Sequence, residues 1–388
     1  MNISARQLTH NDKERASFLV SFVYRTKYED LEKRKQNWND EESEMWGCFV
    51  DNKLASVIYN NHFNCTFDDN IIPMSGIGGV ATLPEYRTNS CISEIFKELL
   101  NESYKRGEII SSLYPFSHSF YRNFGYDLVP YQNVFTFSPK VLNEYKFNGN
   151  IILYEDGMDT SPYYELYNEF IKNYNFMAPR TIESFNHILP KNVFKEAKYC
   201  YLFKDEKENI AYVIYKNIGG KLEVTEAIWK NKKGFNAILS LMSRFTSDYE
   251  KIIMHLPINI DLNKIIHTRS FNIEKYTKYG FMVRIINVFK ALEIMKKKDN
   301  TSFVIEVYDK YIKENNQIFK VTNNKVEICE IYNKKPDIKC SIESFSQLYV
   351  GALSLDELSL KEDFEIFDNI ENIKQAFNKK PVNINIYF

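Results

Sequence analysis

Two stretches of the sequence hold residue types arranged for chemistry. The first is Gly79-Val80-Ala81-Thr82-Leu83-Pro84-Glu85-Tyr86-Arg87-Thr88-Asn89-Ser90-Cys91-Ile92. An apolar run leads into a turn with Arg87 and small polar residues, and the turn opens a helix. The first backbone N–H groups of a helix have no intrahelical partner. Together with the positive end of the helix dipole and a guanidinium they form an anion pocket suited to a pyrophosphate. The same residues also suit a plain connecting loop with Ser90 as helix cap. The second stretch is Pro381 to Phe388, where Val382, Ile384, Ile386 and Phe388 alternate with Asn383, Asn385 and Tyr387. Period-2 patterning predicts a strand running to the last residue. It reads either as an ordinary closing strand or as a means of delivering the α-carboxylate to a defined place, as a base or an amine anchor.

The elements that must position these residues follow from pattern. Trp46 to Val50 and Leu54 to Tyr59, joined by Asp51-Asn52, predict a hairpin. The run Ile77 to Leu83 is a strand ending at Pro84. Ile92, Ile95, Phe96, Leu99 and Leu100 fall at helical spacing over Cys91 to Arg106, and Gly107 is the stop. A strand from Ile109 to Tyr114 and a short helix from Ser117 to Phe124, closed by Gly125, complete the region. A second region, Tyr145 to Val288, repeats part of this order, and Ala211-Tyr212-Val213-Ile214-Tyr215-Lys216-Asn217 echoes Ala55-Ser56-Val57-Ile58-Tyr59-Asn60-Asn61. The order of elements suggests a duplicated fold. Beyond the basic run Lys296-Lys297-Lys298, the patterning predicts a small antiparallel sheet with strands near 303–307, 317–321 and 325–328, and helices near 344–350 and 370–377.

The 388 residues suffice for two or three domains, each with its own core. With 44% hydrophobic and 26% charged residues the chain is globular, and its 50 basic residues nearly cancel 51 acidic ones. The balance predicts neither a nucleic-acid nor a membrane partner, so an anionic ligand must be bound locally. A polar start and the lack of an apolar run near ~18 residues predict a cytoplasmic protein. The six cysteines are scattered, with no CxxC pair and no His cluster at zinc spacing, so reduced thiols and no metal site are expected.

The window Val80 to Ile92, with Leu-Pro-Glu-Tyr-Arg before an amphipathic helix, resembles the acetyl-CoA signature of the GNAT superfamily of N-acetyltransferases. Leu113-Tyr114-Pro115 followed by Ser119-Phe120-Tyr121-Arg122-Asn123-Phe124-Gly125-Tyr126 resembles one branch of it, the Eis (enhanced intracellular survival) family. Gly280-Phe281-Met282-Val283-Arg284-Ile285 also resembles that family's joint between its second and third domains. The resemblance covers essentially the whole chain and implies an α/β (α+β) architecture. Its parts are a catalytic acetyltransferase domain over 1–140, a degenerate second copy over 141–288 and a sterol-carrier-protein-like domain over 289–388.

The resemblance also implies roles. The backbones of Val80, Ala81 and Thr82 would bind the pantetheine arm of acetyl-CoA. Arg87, Thr88, Asn89, Ser90, Cys91, Ile92 and Ser93 would cradle the pyrophosphate, and Phe116 and Ser117 would contact the cofactor further along. Tyr121 would be the general acid and the carboxylate of Phe388 the general base. A phenol with pKa near 10 suits protonation of a thiolate, whereas an α-carboxylate needs burial or a relay water to act as base. The chain departs from the family pattern at Ser90, where Gly is usual, and at Thr88 and Asn89, where Arg is usual. Weaker cofactor binding is therefore expected. His118 is assigned no role, and Cys91, without a His–Asp partner, leaves direct transfer preferred.

The expected reaction is transfer of acetyl to a primary amine of a small molecule, aminoglycoside-like or lysine-type, by a homo-oligomer that the resemblance makes a hexamer. Glu29, Asp30, Asp40, Glu41 and Glu42 either line a cationic pocket for it or lie on solvated helix faces. Rival expectations are a longer-chain acyltransferase and a non-catalytic acyl-CoA or lipid binder.

Overall fold

Asp51 and Asn52 both take left-handed backbone conformations, with φ of 47° and 65°. This is the turn whose twist matches that of the strands it joins, and it links β2 (Ser43–Val50) to β3 (Lys53–Phe67) as expected. The computed structural model describes residues 2–27, 29, 43–267, 273–323, 325–329, 334–378 and 380–385. The first sheet adds β1 (Ile3–Gln7), β4 (Asn70–Thr82), β5 (Ile110–Leu113) and β6 (Asp127–Val129). The second region supplies β7 (Gln132–Phe137), β8 (Asn150–Leu153), β9 (Lys198–Asp205), β10 (Glu208–Ile218), β11 (Lys221–Trp229), β12 (Ile252–Pro257), β13 (Glu274–Lys278) and β14 (Phe281–Ile285).

The strand orders are β1-β2-β3-β4-β5-β14-β6 and β8-β9-β10-β11-β12-β7-β13. Position by position the two sheets match, so the fold is a tandem duplication, and the echoed segments of β3 and β10 stand at the same place in each. Sheet membership does not follow the segments 1–140 and 141–288. β7 pairs with β12 and β13 of the second sheet, while β14 pairs with β5 and β6 of the first. The two sheets have exchanged one strand each.

The helix Cys91–Arg106 begins and ends where its spacing predicts, and Gly107 closes it at φ 84°. Ile95, Phe96, Leu99 and Leu100 are fully buried on one face, which packs against the first sheet together with Trp46, Ile58 and Ile77. The third part is a five-stranded sheet, β17 (Val326–Ile328), β16 (Gln317–Thr322), β15 (Ser302–Tyr308), β18 (Ile338–Ser341) and β19 (Phe364–Ile366). It is not purely antiparallel, because β15 pairs with β18 in parallel. Its core is continuous with the first sheet: Phe67, Met74, Val283 and Ile285 lie in one cluster with Phe303, Ile305, Phe345 and Tyr349.

The strand predicted over 381–388 is not seen among the described residues. Val382 makes a single bridge to Asn175. Val382 and Ile384 are buried, but so is Asn383 between them. The extended tail is covered on both faces, so apolar alternation here reflects threading between layers rather than a sheet edge.

Candidate active site

Two residues of β4 oppose one of β3: Val57 faces Ala81 and Tyr59 faces Gly78, which leaves Gly79 and Val80 across from Ile58. This is a β-bulge, and Gly79 holds it at φ 54°. A Cβ there would stand 2.1 Å from the Tyr59 ring, so no other residue fits. The parallel ladder between β4 and β5 ends at Ile77–Leu113. From there β4 runs on to Thr82 with its backbone released from β5, which opens a wedge between the two strands. Ala81 turns its carbonyl to the Ser56 hydroxyl at 2.9 Å, and the Thr82 hydroxyl meets the same group at 2.6 Å. These two side-on contacts fix β4 to β3 and leave the other backbone edge to the wedge.

The loop Arg87–Ser90 ends at the N-terminus of the helix Cys91–Arg106. Ser90 is left-handed, at φ 55°, and its side chain makes no capping hydrogen bond. The early N–H groups of the helix are therefore not covered by a cap and face the loop with the exposed Arg87, Thr88 and Ser90. The Thr88 hydroxyl lies 3.4 Å from the Asn89 side-chain oxygen. Ser93 bonds the Tyr311 phenol. Ile92 packs against the core. The Cys91 thiol is buried and shares a hydrogen bond with the free Cys48 thiol, and burial raises both thiols, Cys48 to about 12. Cys91 therefore presents only its backbone to the loop, and its sulfur is not poised as a nucleophile.

Tyr121 lies on the short helix His118–Arg122, capped by the Ser117 hydroxyl. Its side chain is 2% exposed, and its ring touches Phe96, Phe116 and Phe120, with centroids 6.4, 5.2 and 5.1 Å away. Phe116, by contrast, is 72% exposed at the mouth. Burial pushes the Tyr121 phenol above its ordinary range, and the phenols of Tyr24 and Tyr126 add to the push. The group stays protonated at neutral pH. Tyr24, at the end of the helix Lys13–Tyr24, donates its hydroxyl to the Val80 carbonyl at 3.3 Å. Val80, Tyr24 and Tyr121 are thus neighbours at the wedge. Tyr24 carries no motif and no diagnostic spacing, and sequence reasoning missed it.

Neighbouring elements fix the Tyr121 helix from two sides. Asp127 is buried and accepts from His118 at 2.8 Å, Arg122 at 3.3 Å and Lys361 at 2.9 Å. Arg122 also reaches Asp363 at 2.8 Å, so the third domain is stapled to the helix. His118 is engaged by this network. On the other side Arg284 donates to the Phe124 carbonyl at 2.8 Å. Phe388 lies outside the described residues, as do Asp30, Asp40, Glu41 and Glu42; Glu29 is exposed. The last described residues run beside the second sheet, where the Ile384 carbonyl accepts from Gln132 at 3.4 Å and Asn385 donates to the Tyr167 hydroxyl at 2.5 Å.

The family model for an acetyltransferase (GNAT) domain matches residues 4–129. The chain carries a GNAT acetyltransferase domain. The family model for a sterol carrier protein domain matches residues 286–384. No curated protein matches the chain in sequence. Among solved structures, the probable N-acyltransferase of unknown function from Enterococcus faecalis V583 is 20% identical, with a TM-score of 0.85 and full coverage of both chains. The GCN5-related N-acetyltransferase from Anabaena variabilis is 18% identical, with a TM-score of 0.84 and full coverage of both. Eis1 from Mycobacterium abscessus is 17% identical, with a TM-score of 0.78, over 98% of this chain and 99% of that one. These likenesses show the fold, a tandem acetyltransferase pair with a sterol-carrier-type third domain.

Set beside the acetyltransferase domain, the second copy shows why it is degenerate. Its β10–β11 pair keeps the bulge, with the register shifting between Ile214 and Tyr215. At the bulge, however, Thr225 and Glu226 stand where the first sheet has Gly79 and Val80. Glu226 is tied to Arg180 at 2.7 and 2.9 Å and to the Tyr212 hydroxyl at 2.7 Å. The long loop before the helix is gone: β11 ends at Trp229, and the helix Lys232–Ser243 starts after Asn231, whose side chain accepts from the Gly234 N–H at 3.0 Å. The cap takes up one of the donors that an uncapped helix end would offer an anion. Among the described residues, no group of three or more His, Cys, Asp and Glu side chains is placed to hold a metal ion, and no helix is long and apolar enough to cross a membrane.

Proposed function

We propose that the protein transfers acetyl from acetyl-CoA directly to a primary amine of a small molecule, with Tyr121 as general acid and the carboxylate of Phe388 as general base. The observation that carries this reading is the convergence of Val80 and Tyr121, bridged by Tyr24, at a wedge beside an uncapped helix N-terminus. The residues fit the donor. In this reading the backbone of Val80 to Thr82 beyond the Gly79 bulge meets the pantetheine amides, with Tyr24 yielding the Val80 carbonyl, and the helix end with Arg87 suits the pyrophosphate. Phe116 and Ser117, next to Tyr121, border the thioester end.

Acetyl-CoA supplies an activated thioester, attacked by a neutral amine with loss of a thiolate. In this reading backbone N–H groups of β4 stabilise the negative charge that develops on the thioester oxygen. Tyr121, kept neutral by burial, holds the proton that the departing sulfur requires. A base removes the amine proton, and the terminal carboxylate fills that role in this reading. With the Cys91 thiol turned inward to Cys48, direct transfer is favoured over a covalent enzyme intermediate.

The acceptor is read as an aminoglycoside-like polyamine or lysine-type amine and the assembly as a homo-oligomer, a hexamer in keeping with the Eis family. Thiol release from acetyl-CoA with a panel of amines tests the reaction. A parallel panel of acyl-CoA chain lengths separates it from long-chain acyl transfer, and light scattering reads the assembly. Absence of thiol release with every amine would overturn the reading.

A further inference from the structure

The second sheet retains a cavity of about 340 Å³ at its own bulge, where β11 and β12 part beyond Val224–Met254. That is the place that the wedge between β4 and β5 occupies in the acetyltransferase domain. Glu226, held by Arg180, forms part of its wall, and the helix beyond β11 is capped by Asn231.

Its lining holds three lysines and a histidine against two carboxylates, Glu223 and Glu226. Lys198, Lys216 and Lys278 converge on it from β9, β10 and β13, with His255 from β12. Among the described residues none of the three lysines is in an ion pair with a carboxylate. Lys278 instead donates to the His255 Nδ1 at 3.1 Å, and Lys198 donates to the Ile188 carbonyl. Both carboxylates in the lining are already engaged, Glu226 by Arg180 and Tyr212, and Glu223 by the His255 Nε2 at 2.8 Å. Accepting from Lys278 fixes His255 with its proton on Nε2, directed at Glu223, so the nearest contact of Glu223 is the imidazole and it acts on Lys278 only at longer range. Burial holds the ammonium groups of Lys198 and Lys278 below their ordinary pKa, a cost that a bound anion would offset.

We propose that this cavity binds a small organic anion, a carboxylate or phosphate compound of metabolite size, between Lys198, Lys216 and Lys278. The volume lies within the range of metabolite pockets, and three ammonium groups converging on one space match an anionic group better than an amine. Duplication has thus left a second cleft that has lost the cofactor arm and kept a binding function. Because Ile384 and Asn385 are part of the lining, the occupant touches the C-terminal tail, which gives it a route to influence the first domain.

The test is calorimetric titration of the full chain with inorganic phosphate and, separately, citrate, with coenzyme A already saturating the first domain so that its helix N-terminus is filled. Saturable binding of at least one probe is expected, weakened at least tenfold by Lys216→Ala with Lys278→Ala. Phosphate alone would identify a phosphate-type ligand, citrate alone a carboxylate, and either supports the site. Lys216→Glu at an exposed position keeps the test sound if the double variant folds poorly, and retained coenzyme A binding reports folding of each variant. No saturable binding of either probe up to millimolar concentrations, or binding unchanged in the lysine variants, overturns the proposal.

Discussion

Arg284 and Asp309 meet with both side chains fully buried, the guanidinium Nη2 lying 2.8 and 2.6 Å from the two carboxylate oxygens. The same guanidinium donates to the Phe124 carbonyl and lies against Gly125, where a Cβ would stand 1.6 Å from Nη1. Asp309 also accepts from the N–H of Tyr311 and the amide of Asn315. One pair therefore ties the exchanged strand β14, the third domain and the turn after Tyr121. Arg284→Met alone is expected to destabilise the protein by about 3–5 kcal/mol, because it leaves Asp309 charged and buried. Arg284→Met with Asp309→Leu should recover most of that loss. Chemical denaturation of the single and double variants is the check, and a double variant as unstable as the single one would contradict the assignment.

Tyr121→Phe removes a hydroxyl and leaves the ring contacts with Phe96, Phe116 and Phe120. Its thiol-release kcat should fall by about 10²–10⁴-fold with little change in acetyl-CoA affinity. In the wild type, burial raises the phenol above its usual value, so loss of the acid should not depress the rate until above about pH 10. Steady-state kinetics across pH on both proteins decides this.

Ser90 is a non-glycine residue held at φ 55° with no capping bond in return. Ser90→Gly should relieve about 1 kcal/mol of backbone strain. It should also tighten acetyl-CoA binding, since the loop then adapts to the pyrophosphate without penalty. Calorimetry against acetyl-CoA and a thermal melt measure the two effects, and looser binding in the variant would count against the loop as the pyrophosphate site.

Alkaline stability is set by the tyrosines. Burial pushes Tyr167 and Tyr174 to about 12 and raises Tyr121, Tyr126, Tyr212 and Tyr349 as well. In the unfolded chain these phenols ionise near 10. The native state thus binds more protons above that pH, and the stability these phenols contribute is full below about pH 10 and lost as pH rises toward 12. The buried thiols of Cys48 and Cys65, also raised to about 12, ionise at about 8.5 when unfolded and act the same way from lower pH. Thermal melts from pH 8 to 12 should show Tm declining from about 8.5 and falling more steeply from about 10.

What the sequence disclosed and what it withheld divide along physical lines. The helix Cys91–Arg106 and its Gly107 stop, the Asp51-Asn52 turn and Gly125 were legible because each is decided by local geometry. The strand exchange was not, because Gln132–Phe137 and Phe281–Ile285 have strand patterns that name no partner. Tyr24 reaches Val80 only through tertiary packing, so no spacing announces it. Arg284 left a trace, a lone charge inside the apolar run Phe281-Met282-Val283-Arg284-Ile285 whose partner had to be buried with it. The tail misled for the converse reason: alternation at Val382 and Ile384 looked like a sheet edge, whereas the segment is enclosed by neighbours on both sides.

The exchange of β7 and β14 also governs how the protein can be made. During synthesis the first sheet lacks its sixth strand until Phe281–Ile285 has left the ribosome, although β5 and β6 emerge much earlier. Until then the acetyltransferase half waits with open strand edges, the state most prone to misassociation. Neither half can be excised at the boundary that the duplication suggests, and each copy is completed only by the other.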